Sequence, residues 1–305
     1  MSTRQLPLFS TGLNYRSRLV DAVEPFQKYL RAEGKAENTV KSFSSDLHLI
    51  CQYFGDERQL GSLMYSDLNR FLDWLEHGRG KPCSQKSYAR RVTTLKVFFK
   101  WLMEQHIRQD NPAEAILQRS GPAPLQPILG YEEVHRLTET AHLIALQPKK
   151  PDSRPEVLVR LLLETGIKKS EMMNLTVASL DRRLPEHPIL NVKYKGQKGV
   201  YKERRIAVSN ALVSAWDRYV DDPHHKVRDH LFTCTPRNLE YVLSDTASVA
   251  GVEGKVSFEI LRWTCAVRDY LSGMDLDDIR KKLGLSEISF RETSQKIAQL
   301  AKSYR

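Results

Sequence analysis

The chain is 305 residues long, carries a formal net charge of +10, and is 41% hydrophobic with a mean hydropathy of −0.47. That length gives two domains room for buried cores, and the composition argues against general disorder. No run approaches the roughly 18 apolar residues of a membrane helix, and the first residues lack the apolar core of a secretory signal.

Cys51, Cys83, Cys234 and Cys265 are too scattered for a zinc knuckle or a disulfide scaffold, and they suit a reducing cytosol. His224 and His225 beside Pro223 read as a loop, so no metal and no cofactor are expected. The positive balance suits a polyanionic partner. It is shared evenly between residues 1–120 and the remainder, so no charged tail accounts for it.

In chain order, a first helix is expected near Leu19–Ala32. A second follows over 38–54, where Val40, Phe43, Leu47, Ile50 and Phe54 alternate steps of three and four, with Asn38 or Thr39 as its cap. A shorter one over 66–77 carries Leu68, Phe71, Leu72 and Leu75. Over 84–105, Tyr88, Val92, Leu95, Phe99 and Leu102 form one stripe. The opposite face then holds Lys86, Arg90, Thr93 and Lys100, with Lys96 on its flank. No acid lies between Ser84 and Met103, although Arg91 adds a further cation. A solvated face normally mixes signs to gain i,i+4 pairs. Phosphate contact is therefore preferred here over a plain solvated surface.

Proline and glycine density between Asp110 and Tyr131 predicts a linker at 117–128, dividing a helical domain at 18–116 from a second domain at 129–305. Helical periodicity resumes at 131–145 and 156–164. Residues 189–194 and 204–208 alternate as strands of a hairpin around a basic loop, 195–203. Lys193, Lys195, Lys198, Lys202, Arg204 and Arg205 make it a second cationic cluster against Glu203 alone. Helices follow at 210–220, 237–250, 258–272 and 275–283. A final amphipathic piece at 294–304 starts at Ser294, with Ser289 and Glu292 as its capping box. Its apolar face, Ile297, Leu300 and Ala301, fits either cover for its own domain or contact with a second protomer.

Three strings carry a resemblance: LLLETGIKKSEMMNL at 161–175, KYKGQKGVYKERRIAV at 193–208, and FEILRWTCAVRDYLSGMDLDDIRKKLGLSEIS at 258–289. In this order and spacing the chain resembles the tyrosine recombinases, the phage-type integrases, over about 280 of its residues. The resemblance implies a mainly α fold with a small β-sheet. A SAM-like four-helix core-binding domain would precede a mixed α/β catalytic-type domain.

It also implies a chemistry: two arginines clamp a phosphodiester, a hairpin lysine and two histidine-type positions move protons or stabilise charge, and a tyrosine attacks phosphorus. Residue by residue, the first arginine position holds Lys168, which keeps the charge and loses the two-pronged grip. The hairpin lysine falls on Lys195 and the second arginine on Arg262. The two histidine positions hold Glu259 and Leu285. The nucleophile position, nine after Leu285, holds Ser294. Leucine transfers no proton, and a serine hydroxyl without a base is a poor nucleophile. Tyr304 lies ten residues beyond Ser294, about 15 Å along a continuous helix, and Tyr270 shares a helix with Arg262.

The expected function is a DNA-binding, nucleoid-associated cytoplasmic protein. It would clamp duplex DNA between its domains with the catalytic set (Lys168, Lys195, Arg262) vestigial, and serve a regulatory or accessory role in recombination. Its DNA ligands would be Lys86, Arg90, Lys96, Lys100, Lys193, Lys195, Lys198, Lys202, Arg204 and Arg262. A second copy or an active relative would dock at the last helix. Two other readings are an active recombinase using a displaced or partner-supplied tyrosine, and a protein-interaction module that no longer binds DNA.

Overall fold

The computed structural model describes residues 12–119, 124–194, 202–225 and 227–304. Lys195 and Lys198 lie outside them. Contacts divide the chain into two units, Met1–Pro124 and Leu125–Arg305.

The first unit is helical: α1 (Val23–Ala32), α2 (Glu37–Phe54), α3 (Tyr65–Asp73) and α4 (Gln85–Glu104). The stripe expected on α4 is buried in full, and Phe98 and Trp101 beside it are buried too. Phe26 of α1 meets Phe98 edge to face at 5.2 Å, a geometry that ring quadrupoles favour. A fully buried phenylalanine of this kind contributes about 1.5–3 kcal/mol. Ser84 caps α4 by accepting the Ser87 N–H at 3.3 Å.

Two details of this unit correct the sequence expectations. Helix α2 begins at Glu37 after Ala36, with no side-chain cap from Asn38 or Thr39; instead Arg31 pairs with Glu37 at 3.1 Å. The 66–77 helix ends at Asp73 and passes into a wider π turn, Trp74–Gly78.

The second unit contains α5 (Tyr131–Ala145), α6 (Arg154–Thr165), the single-turn α7 (Lys169–Met172), β1 (Leu180–Asp181), β2 (Ile189–Val192), β3 (Arg204–Ala207), α8 (Asn210–Asp221), α9 (Pro236–Val249), α10 (Phe258–Leu271), α11 (Leu276–Leu283) and α12 (Glu287–Ala301). Helix α6 is buried on nearly every side from Val157 to Leu163, so it runs through the middle of its unit. The strands pair antiparallel in the order β1-β2-β3, with Leu190 opposite Ile206 and Asn191 opposite Arg205. Leu190, Val192 and Ile206 face the core, while Asn191 and Arg205 point outward. Thus β1 extends the expected hairpin to three strands.

A separate apolar cluster (Ala266, Val267, Ile279, Leu283, Phe290, Ile297, Leu300) joins α10, α11 and α12. The last helix starts at Glu287, not at Ser294, and its cap is Ser286, which accepts the Ser289 N–H at 3.3 Å. Phe290 anchors the first turn, so the polar run Arg291–Lys296 is simply the outer side of a helix already under way.

Candidate nucleic-acid interface

On α4, Lys86, Arg90 and Lys100 are exposed and Lys96 is half-exposed, so the cationic face exists as a surface. Its members are not equivalent. Asp46 of α2, only 2% exposed, accepts both prongs of Arg90 at 2.7 and 3.0 Å and the Thr94 hydroxyl at 2.9 Å. Arg91 points inward, is itself buried, and has Nε 3.4 Å from the same carboxylate. Arg90 therefore differs from the freely solvated cation expected: part of its charge is offset by a carboxylate that the sequence places 44 residues away. Lys100 lies 3.7 Å from Glu104, an exposed pair of little energetic weight.

In the second unit, a turn made by the TGIKKSE string sets the second cluster. Gly166 ends α6 in the left-handed conformation, φ +56°. A Cβ there would lie 2.9 Å from Leu283, so only glycine lets α11 pack this closely. The chain then turns so that Lys168 precedes α7, and the Glu171 carboxylate accepts the Lys168 N–H at 2.8 Å.

Glu171 is bridged by both arms of Arg204, at 3.1 and 2.8 Å. Arg204 also donates to the carbonyls of Lys282 and Lys202, each at 2.7 Å. Four of its five N–H donors are thus consumed, and its side chain is 6% exposed. Arg204, expected among the DNA-contacting cations at the start of the second hairpin strand, is instead a buried fastener between β3, α7 and the end of α11. The register explains this: Arg204 is opposite Val192, on the inward side of the strand.

Arg262 on α10 donates to the carbonyls of Gly166 and Leu283. Burial pushes its pKa down to about 10, partly countered by Glu171. Burial also lowers the Lys168 pKa, and the Arg262, Arg204 and Lys202 charges act in the same direction against Glu171. For Glu171 itself burial alone would raise the pKa, but the Arg204 bonds hold the carboxyl below its usual range.

Lys202 lies 4.1 Å over the Tyr194 ring and donates to its hydroxyl at 3.0 Å. The structure therefore brings Lys168, Arg262, Arg204, Lys202 and Glu171 into one electrostatic group, with exposed Glu259 acting on Arg262 from the first turn of α10. Lys193 is exposed at the end of β2, near Arg205 on the outer face of the sheet.

The remaining positions lie elsewhere. Leu285 packs against the α10–α12 apolar cluster. Ser294 is mid-helix, its hydroxyl donating to the Arg291 carbonyl at 3.0 Å, and it borders a depression with Asp277, Arg280 and Glu287. Tyr304 is half-buried against that same cluster. Burial raises its pKa, with Arg268 opposing and Tyr131 adding to the rise, so it sits among other neighbours than those of Arg262. His225 lies between Asp152 and Asp222, at 3.3 and 3.4 Å. Among the described residues no three His, Cys, Asp or Glu side chains converge as a metal site, and no helix is long and apolar enough to cross a membrane.

A helical unit with a cationic helix face is thus followed by a unit that gathers cations beside a three-stranded sheet. The chain belongs to the phage integrase family, the tyrosine recombinases. Residues 23–106 match the phage integrase N-terminal SAM-like domain, and residues 128–294 match the phage integrase family. Among its relatives, tyrosine recombinase XerD of Brucella suis is 29% identical over 292 residues, covering 88% of this chain and 90% of that one. Tyrosine recombinase XerC of Staphylococcus epidermidis is 27% identical over 294 residues, covering 92% and 95%. The structure of XerH recombinase bound to palindromic difH substrate superposes with a TM-score of 0.70 at 17% identity, over 93% of this chain and 82% of that one, a likeness of fold.

Sequence reasoning missed Asp46 and Glu171, because each acts on a cation far away in the chain. The usable signal for Glu171 was its place three residues after Lys168, from which a carboxylate reaches back to the backbone N–H at a helix start.

Proposed function

We propose that this protein binds duplex DNA through the cationic surfaces of both units and does not cut it. The observation that carries the reading is the condition of the site around Arg262. Cations are gathered there as a phosphate requires, yet the position the family gives its attacking tyrosine holds Ser294, bonded to its own helix. Glu259 places a carboxylate where a proton-donating group would be needed; at about 4 Å from a phosphate it costs roughly 1–4 kcal/mol.

In this reading Lys86, Arg90, Lys96 and Lys100 contact the backbone from α4. Lys193, Lys195, Lys198 and Lys202 contact it from the hairpin, with Lys168 and Arg262 at the pocket. Lys168, Lys195 and Arg262 are what remains of a catalytic set whose other positions are Glu259, Leu285 and Ser294. The residues 18–116 and 129–305 act as two DNA-binding domains joined by 117–128. The role is accessory or regulatory, with a second copy or an active relative docking at α12, and the protein works in the cytoplasm on the nucleoid.

The test pairs a native-gel binding assay with a denaturing gel on the same nicked, suicide-type duplex. Binding is expected, with log affinity falling steeply against log salt, and no adduct should survive denaturation. A covalent adduct lost on changing one tyrosine, such as Tyr304→Phe, would replace this reading with that of an active recombinase. Salt-independent affinity or no binding would leave the protein-interaction reading.

A further inference from the structure

We propose that Gln118 and Arg119 form a strap docked across the middle of the cationic face of α4, and that duplex DNA displaces it to occupy that face. This deepens the DNA-binding reading above and rests on it.

Residues 117–119 fall in the segment whose composition reads as linker, yet two of them are fixed to the first unit. Ile116 is buried in the core of that unit. Two residues on, the Gln118 amide donates to the Ala89 carbonyl at 3.3 Å and to the Thr93 hydroxyl at 3.2 Å. The Arg119 guanidinium lies 5.7 Å over the Tyr88 ring and pairs with Glu76 of the π turn at 3.2 Å. The segment thus lies along α4 from Thr93 back to Tyr88.

Thr93 is the position that matters. It lies seven residues from Lys86 on one side and seven from Lys100 on the other, close to two whole turns each way, so the three share a face. A duplex touching both lysines, about 21 Å apart along the helix, passes over Thr93, where the Gln118 amide now sits. Strap and duplex cannot fill that place together.

The docking has the strength of a releasable contact. Leu117 is 82% exposed, so no apolar burial holds the segment. Gln118 makes neutral hydrogen bonds in an exposed setting, and the Arg119 side chain is 71% exposed in its ion pair. Contacts of these kinds favour the docked state by only about a few-fold each. On α4 they fall on Ala89, Thr93 and Tyr88 rather than on the lysines, so the lysine charge still draws a polyanion toward the strapped face.

The test measures affinity of the full-length protein for a short fluorescent duplex by anisotropy over a salt series, for the wild type, Gln118→Ala and Arg119→Ala. A docked strap lowers apparent affinity by the fraction of molecules left open. Each variant should therefore bind roughly three- to tenfold tighter. Arg119→Ala is the sharper case, because deleting a cation strengthens binding only if that residue obstructs it. In the free protein, trypsin should cut after Arg119 severalfold faster in Gln118→Ala than in the wild type, at an unchanged Tm. Equal cleavage, or unchanged affinity in both variants, would overturn the strap. So would weaker binding by Arg119→Ala with a salt slope reduced by about one, the mark of an ordinary phosphate ligand. No binding by any of the three proteins would instead overturn the DNA-binding reading itself.

Discussion

Replacing Arg204 with alanine tests how the second unit is fastened together. The change removes four hydrogen bonds, three of which tie β3 to α7 and to the end of α11. It leaves the Glu171 carboxylate, whose side chain is only 10% exposed, without its cation. Breaking a buried pair from one side costs about 3–5 kcal/mol, because the surviving charge stays desolvated. For a unit of this size each kcal/mol moves Tm by about 2–4 °C, so the transition of the second unit should fall by roughly 6–20 °C.

Urea unfolding, followed by the fluorescence of buried Trp216, measures the same loss as a shift in midpoint. The double change Arg204→Met with Glu171→Met should recover much of it, giving a large coupling in a double-mutant cycle. The pH dependence has a definite sign. Glu171 is held below its usual range, so its contribution is complete above about 4.5 and disappears as pH falls through the depressed value. A loss under about 1 kcal/mol, as for an exposed ion pair, would refute the reasoning.

Three further outcomes follow from other parts of the molecule. Asp46→Ala should destabilise the first unit by about 3–5 kcal/mol in urea unfolding of the full chain, because Arg90, Arg91 and Thr94 share that one buried carboxylate. Gly284→Ala should cost about 1–3 kcal/mol by the same measurement: φ there is +59°, and the added Cβ would lie 2.8 Å from the Arg204 guanidinium. Charge reversal of Lys86, Lys96 and Lys100 together should weaken DNA binding and flatten its salt slope by about three, with Tm nearly unchanged, since these groups lie on the surface.

The long helices were legible because their apolar positions repeat with the helical period and end up buried, as Val92, Leu95 and Leu102 do on α4. The short pieces were not. Helix α7 has one turn and β1 two residues, too few for any period to register. The start of α12 was misplaced because only Phe290, Ile297 and Leu300 of that helix are buried, and the polar run Arg291–Lys296 separates the first from the other two.

The site divides along a different line. In the structure the strings around Lys168 and Arg262 adjoin; the sequence by itself shows only where positive charge is dense. It is silent on partners. Arg204 and Arg205 are adjacent in the chain, yet the strand alternation sends one inward to Glu171 and the other outward. Likewise Arg90 and Arg91 are adjacent and both meet Asp46, yet Arg90 is exposed and held by two hydrogen bonds while Arg91 is buried.

That last arrangement has a bearing on how α4 would read a duplex. A lysine swings on a flexible stem and can follow whichever oxygen is nearest, so it adds attraction without much directional demand. Arg90 is clasped by Asp46 in a set orientation, so the plane of its unused N–H bonds is fixed before any ligand arrives. Under the proposed DNA binding, contacts through it should therefore be more sensitive to groove geometry than those of its lysine neighbours.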